Sequence, residues 1–228
     1  METTKIDNLK IAALIPDRND RPKYLELCLA MLEYQTHKVD HIELVNYPAE
    51  SDKPDITQRY RRGYEKLSAM GFDLIFFIEN DDFYSRTYIE EMLRAWEAKG
   101  KPDLFGTSFT TYYHIGLRKH FKFEHPQRAS AMNTLIKGNL KLKFPKDSEV
   151  FFDMFLWERS NVFNGTKATW TPSDKLSIGI KHGEGLCGCR QHLNDIYRFK
   201  EDDKDLSWLA ERVKENSIFQ FYSSKFAK

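Results

Sequence analysis

The strongest constraint on this chain's fold is an alternation in its first hundred residues, where short apolar runs are separated by stretches of helical periodicity. KIAALIP (10–16) and FDLIFFI (72–78) are strand-sized and largely apolar, the pattern of strands covered on both faces of a parallel sheet. HIELV (41–45) supplies another strand. Between them, Asp20 is placed to cap a helix opened by Arg21-Pro22, with Tyr24, Leu27, Cys28, Met31 and Leu32 along one face. Residues 56–70 form a basic amphipathic helix closed by Gly71, and 87–98 a further helix with Tyr88, Met92 and Trp96 together. The alternation predicts an α/β layered fold with a mainly parallel central sheet flanked by helices. Ligands in such sheets bind beyond the carboxyl ends of the strands. The loop 16–19, the loop after Val45 and the cluster Glu79-Asn80-Asp81-Asp82 should therefore face one crevice.

At 228 residues the chain suits a single structural domain, read here as a half spanning 1–103 and a half spanning 104–228 with a C-terminal tail. Lys+Arg 35 against Asp+Glu 34 leaves a net charge of +1, which excludes the broad basic field of a nucleic-acid binder. No run reaches the ~18 apolar residues of a membrane span. The opening METTKIDNLK has no secretory apolar segment, so a cytoplasmic location is expected. Cys28, Cys187 and Cys189 make an odd set, read as thiols rather than a disulfide framework.

Beyond Gly100 the pattern loosens. Residues 104–113 look like strand material, 114–145 have no clean period, 148–159 carry a helical face, and 176–180 read as a last strand entering a Gly/Cys/His loop. The tail from Asp205 is helical, then aromatic, and should pack on the body or on a partner.

Glu79, Asp81 and Asp82 crowd directly behind a buried strand. Such carboxylates repel one another, and a hard divalent cation relieves the cost; a solvated acidic turn capping the next helix is the alternative. Asp153 by itself reads as a polar position on an amphipathic helix. Arg18, Arg59 and Arg62 are candidate phosphate contacts or members of an exposed basic face, with Arg59 and Arg62 on one side of their helix and Arg61 pointing elsewhere. His182, Cys187, Cys189 and His192 invite a zinc reading, but CxC lacks the usual ligand spacing.

The segments IPDRNDRPKYLELCLAMLEYQT and DITQRYRRGYEKLSAMGFDLIFFIENDD resemble the first strand, loop and helix, and then the helix and strand leading to the DxD motif, of the family 2 glycosyltransferases with a GT-A fold. The resemblance spans about the first hundred residues well and the rest loosely. It implies a nucleotide-sugar donor held by the first half and a carbohydrate or glycan acceptor held by the second. Mn²⁺ or Mg²⁺ would be bound by Asp81, Asp82 and His182, with Glu79 nearer the donor ribose. The resemblance puts donor contacts on Asp17, Arg18, Asn46, Arg59 and Arg62, and through EVFFDMFLWER puts Asp153 in the place of the catalytic base, with Glu149 in reserve. The expected reaction is metal-dependent transfer of one sugar, with inversion. A catalytically silent nucleotide- or glycan-binding relative is the main rival, and a zinc-containing interaction module a second. Two departures from the family are visible: the second strand runs into Asn46-Tyr47 instead of the aspartate that reads the nucleobase, and the QxxRW motif of processive synthases is absent.

Overall fold

The computed structural model describes residues 8–49, 51, 53–125, 127–159, 161–183 and 196–224. Its first half runs β1 (Ile11–Pro16), α1 (Pro22–Glu33), β2 (His41–Val45), α2 (Ile56–Ala69), β3 (Leu74–Phe77), β4 (Phe83–Tyr84) and α3 (Tyr88–Ala98). Its second half adds β5 (Leu104–Thr107), β6 (Phe109–His114), β7 (Lys119–Glu124), β8 (Thr134–Lys137), α4 (Phe152–Glu158), β9 (Lys167–Trp170), β10 (Ser177–Lys181), β11 (Glu201–Asp202), α5 (Ser207–Arg212) and α6 (Asn216–Ser224).

The central sheet has the order β2-β1-β3-β8-β5-β9. All its strands point one way except β8, which runs antiparallel to both β3 and β5. A second sheet, β11-β7-β6-β10-β4, is mostly antiparallel. Ser108 is the single residue between β5 and β6 and hands the chain from one sheet to the other. Its N–H donates to the Trp170 carbonyl at 2.8 Å and its carbonyl accepts from the His125 N–H at 2.8 Å.

The two-residue period of β1 explains how the core divides. Ile11, Ala13 and Ile15 enter one apolar cluster with α1, α3 and the C-terminal helices, while Ala12 and Leu14 enter another with α2 and α4. Every residue of β1 is buried, so polar alternation has no place in it. Gly63 lets α2 lie directly on β1, because a Cβ there would strike Leu14 and come within 2.9 Å of a Val45 methyl. The tail packs on the body through Leu209, Val213, Ile218 and Tyr222. Among the described residues no helix is long and apolar enough to cross a membrane.

Several local expectations are corrected. The N-cap of α1 is Arg21, not Asp20, and no side chain caps it; the Asp20 carboxylate instead accepts from Arg21 Nε at 3.3 Å. The helix expected from 148 begins at Phe152, because Glu149 Oε1 takes the N–H groups of Val150 and Phe151 at 3.1 and 3.2 Å and holds that stretch in a turn. The aperiodic stretch 114–145 contains β7 and β8, and β10 is followed by the two-residue β11.

Candidate functional site

β1 and β3 are parallel neighbours, so their carboxyl ends deliver Asp17 and the acidic turn to the same place. The Ile78 N–H donates to the Leu14 carbonyl at 3.0 Å and carries the pairing one step past β3. Asp17 is 1% exposed; its Oδ1 accepts from Asn80 Nδ2 at 2.5 Å and its Oδ2 from the Asn19 N–H at 3.1 Å. It therefore braces the turn. The Tyr84 hydroxyl accepts from the Glu79 N–H at 2.8 Å and fixes where that turn starts.

Carboxylate oxygens of Glu79, Asp81 and Asp82 lie within 4.8 Å of one another. Asp82 Oδ1 accepts from the Ile180 N–H at 2.8 Å, whereas its Oδ2 is buried with no hydrogen-bond partner. Burial, reinforced by Asp81, pushes the Glu79 carboxyl above its ordinary range; burial, then Glu79 and Asp81, does the same to Asp82. Asp81 goes the other way. Burial would raise it, but the Arg21 guanidinium and then His182 outweigh that and hold it well below the usual carboxylate range. Arg21 Nη1 donates to Asp81 Oδ2, and His182 Nε2 meets the same oxygen at 2.9 Å. The Tyr24 ring lies 4.3 Å from the His182 ring and sets its plane. Lys181 Nζ sits 4.9 Å from the Tyr112 ring centre. Burial pulls its pKa down, but Asp82, Tyr112 and Glu79 together raise it, so the ammonium stays charged beside the acids.

Asp153, in the first turn of α4, lines the same cleft as Glu79 and Asp81, a cavity of about 560 Å³ that also takes in Asp17, Arg18, Arg21, Arg59, Arg128, Lys181 and His182. Asp82, expected as a metal ligand, is buried and does not line the cleft, although its carboxylate lies within 4.8 Å of those of Glu79 and Asp81. Arg128 Nη1 donates to Asp153 Oδ2 at 3.3 Å. Burial raises the Asp153 carboxyl, Arg128 draws it back, and the net shift is upward. Tyr112, Phe121, Phe123 and Phe199 also line the cleft.

The expected donor arginines separate. Arg59 is 1% exposed and is no surface cation: its Nη1 donates to the carbonyls of Asp17, Val45 and Tyr47 at 2.6, 3.0 and 3.0 Å, and its Nη2 to Asp55 at 2.8 Å. It ties the loops after β1 and β2 to α2. Arg18 reaches Asp55 at 2.8 Å and the carbonyls of Ser51 and Lys53, each at 2.9 Å. Burial would raise Asp55, but Arg59 and Arg18 hold it down. Arg62 lies over the Tyr47 ring at 4.3 Å, and neither it nor Asn46 lines the cleft. Asn46 is exposed, and its carbonyl accepts from Asn19 Nδ2 at 2.7 Å. Glu149 also lies outside the cleft lining. Cys28 is buried, and burial pushes its thiol up, as befits a packing residue. Cys187, Cys189 and His192 lie outside the described residues.

The donor set is all hard oxygen apart from His182, and Asp82 Oδ2 is a buried acceptor without a donor. This arrangement fits a divalent cation. Sequence reasoning missed Arg21, Asn80, Lys181 and Arg128. Lys181 was one residue from a chosen histidine, and Arg21 was seen only as a helix opening. Arg128 sits in the aperiodic stretch and carries no local signal.

No protein-family model matches the chain, and no curated protein sequence matches it. Its fold matches solved structures of S. aureus TarS. Against TarS 1–349 in complex with UDP-GlcNAc, the TM-score is 0.56 at 10% identity, covering 96% of this chain and 71% of that one. The complex with UDP gives 0.51 at 10% identity, covering 96% and 70%. A longer TarS chain gives 0.50 at 9% identity, covering 75% and 37%. At these identities the likeness is one of fold alone.

Proposed function

We propose that this chain is a metal-dependent, GT-A-type, family 2-like glycosyltransferase that moves one sugar from a nucleotide-sugar donor to a hydroxyl of a carbohydrate or glycan acceptor, with inversion. The observation that carries the reading is a cleft in which the carboxylates Glu79 and Asp81, with the buried Asp82 close to both, share space with Asp153. The fold shared with TarS, solved with UDP-GlcNAc, supports a nucleotide-sugar as donor. Residues 1–103 hold the donor and 104–228 the acceptor and the base, in a cytoplasmic enzyme.

Asp81, Asp82 and His182 would hold Mn²⁺ or Mg²⁺, with Glu79 turned toward the donor ribose. When bound, that cation neutralises the charge gained by the departing diphosphate. Asp17 keeps Asn80, and with it the acidic turn, in place, while Arg59 and Arg18 fix the loops that border the nucleotide. Asp153 accepts the proton of the acceptor hydroxyl as its oxygen bonds to the anomeric carbon and the bond to the diphosphate breaks, giving inversion in one displacement. Burial suits Asp153 to that task by moving its proton affinity toward neutral pH. The aromatic part of the lining, Tyr112, Phe121 and Phe123, offers apolar surface against which an acceptor sugar can pack.

The test is turnover of a panel of nucleotide-sugars, read as hydrolysis and transfer, with Mn²⁺ or with chelator. Activity should need the metal and fall at least 10²-fold in Asp81→Asn. Nucleotide binding with no metal-dependent turnover in any condition would instead identify a silent relative.

A further inference from the structure

Arg21 is an odd residue for its place in the chain. It occupies the N-cap of α1, where oxygen-bearing side chains are favoured and where the helix dipole disfavours a positive charge, and no side chain caps that end. Its guanidinium turns instead into the cleft and donates to Asp81, a residue from the far end of a neighbouring strand. The contact falls on Oδ2, the oxygen that His182 Nε2 also meets. The Arg21 side chain is 18% exposed, so it borders the space a donor would enter and is not locked in the core. Nearby, Glu79 and Asp82 face each other, and the buried Asp82 Oδ2 has no donor. Asp81 thus carries a guanidinium of the chain on one of its oxygens, while the Lys181 ammonium acts on Glu79 and Asp82.

We propose that Arg21 is the resident counter-cation of the donor site: it holds Asp81 while the site lacks a donor, and moves to the diphosphate when donor and divalent cation enter together. The inference rests on the metal-site reading above and adds an order of events to it. A divalent cation arriving alone meets a guanidinium on the oxygen it needs, and the two positive charges repel. A diphosphate arriving with it brings negative charge that both cations can share, and a guanidinium matches phosphate oxygens in paired hydrogen bonds. Cation binding is therefore weak alone and strong with the diphosphate, a coupling that must be reciprocal.

The experiment measures Mn²⁺ binding by the full chain, alone and with inorganic pyrophosphate, which carries the diphosphate chemistry without a choice of base. Wild type is compared with Arg21→Gln, with Arg21→Met as a second variant that keeps the aliphatic stem, and with Asp81→Asn. Both Arg21 variants should bind Mn²⁺ alone at least tenfold more tightly than wild type, yet bind pyrophosphate in the presence of Mn²⁺ at least tenfold more weakly. Equal Mn²⁺ affinity in wild type and variants, with binding still lost in Asp81→Asn, overturns the role of Arg21 and leaves the metal site standing. No Mn²⁺ binding by any form, with or without pyrophosphate, overturns the metal site and this inference with it.

Discussion

Asp153 combines two opposed influences, burial that favours its neutral form and an arginine 3.3 Å away that favours its charge. Because a base must be unprotonated to act, activity should decline as pH falls, with a midpoint above the ordinary carboxylate value of about 4. Removing the guanidinium in Arg128→Gln takes away the largest influence opposing burial, so the acidic limb should move to higher pH. Asp153→Asn should cut kcat by about 10²–10⁴-fold with KM for the donor little changed. A pH profile that does not move in Arg128→Gln would show that Asp153 is not the group being titrated. The crowding of Glu79, Asp81 and Asp82 behind a strand is legible in the sequence because it is local, whereas Asp153 as base rests on the family resemblance and by itself reads as a polar helix position. What Arg21 does beyond opening a helix, and what Arg59 does beyond a basic face, is not visible in the sequence, because a cation's role depends on its partner. Asp81 is 60 positions from Arg21 along the chain, and Arg59 bonds mainly to backbone carbonyls, which no residue pattern reports.

At the level of elements, the strands β1 and β3, buried on both faces, the short apolar edge strand β2, and the helices α1, α2 and α3 with their apolar stripes can be read almost to their ends. Segments whose burial is set by what lands on them cannot. β7 is half exposed and mixes Lys, His and Phe, β8 is four residues long, and β11 is two acidic residues paired against β7. The contact of α2 with β1 gives a direct test of helix-on-sheet spacing. In an exposed helix Gly→Ala stabilises by about 1 kcal/mol, but Gly63→Ala puts a methyl against Leu14, which is 0% exposed, and overpacking a full core costs about 1–3 kcal/mol. The net effect should be destabilising, a fall in Tm of several degrees at roughly 3 °C per kcal/mol for a chain of this size. A rise in Tm would mean that α2 sits farther from the sheet.

For the whole molecule, the cleft joins groups from both halves, since Asp17 and the acidic turn come from the first and Asp153, Lys181 and His182 from the second. A ligand that bridges them should stabilise the entire fold. Nucleoside diphosphate with Mn²⁺ at 100 times its Kd adds about 2.7 kcal/mol, a rise in Tm of roughly 5–10 °C, and neither component alone should reach that shift. A single unchanged transition with every nucleotide tried would count against the donor site. The reversed strand β8 has a further consequence, for how the chain is made. β3 takes its second neighbour from residues 134–137, so as the polypeptide leaves the ribosome the edge Leu74–Phe77 waits for about sixty more residues before its amides are matched. At ~5–20 residues per second that interval is about 3–12 s, during which an apolar, unpaired strand invites a chaperone or a neighbouring nascent chain.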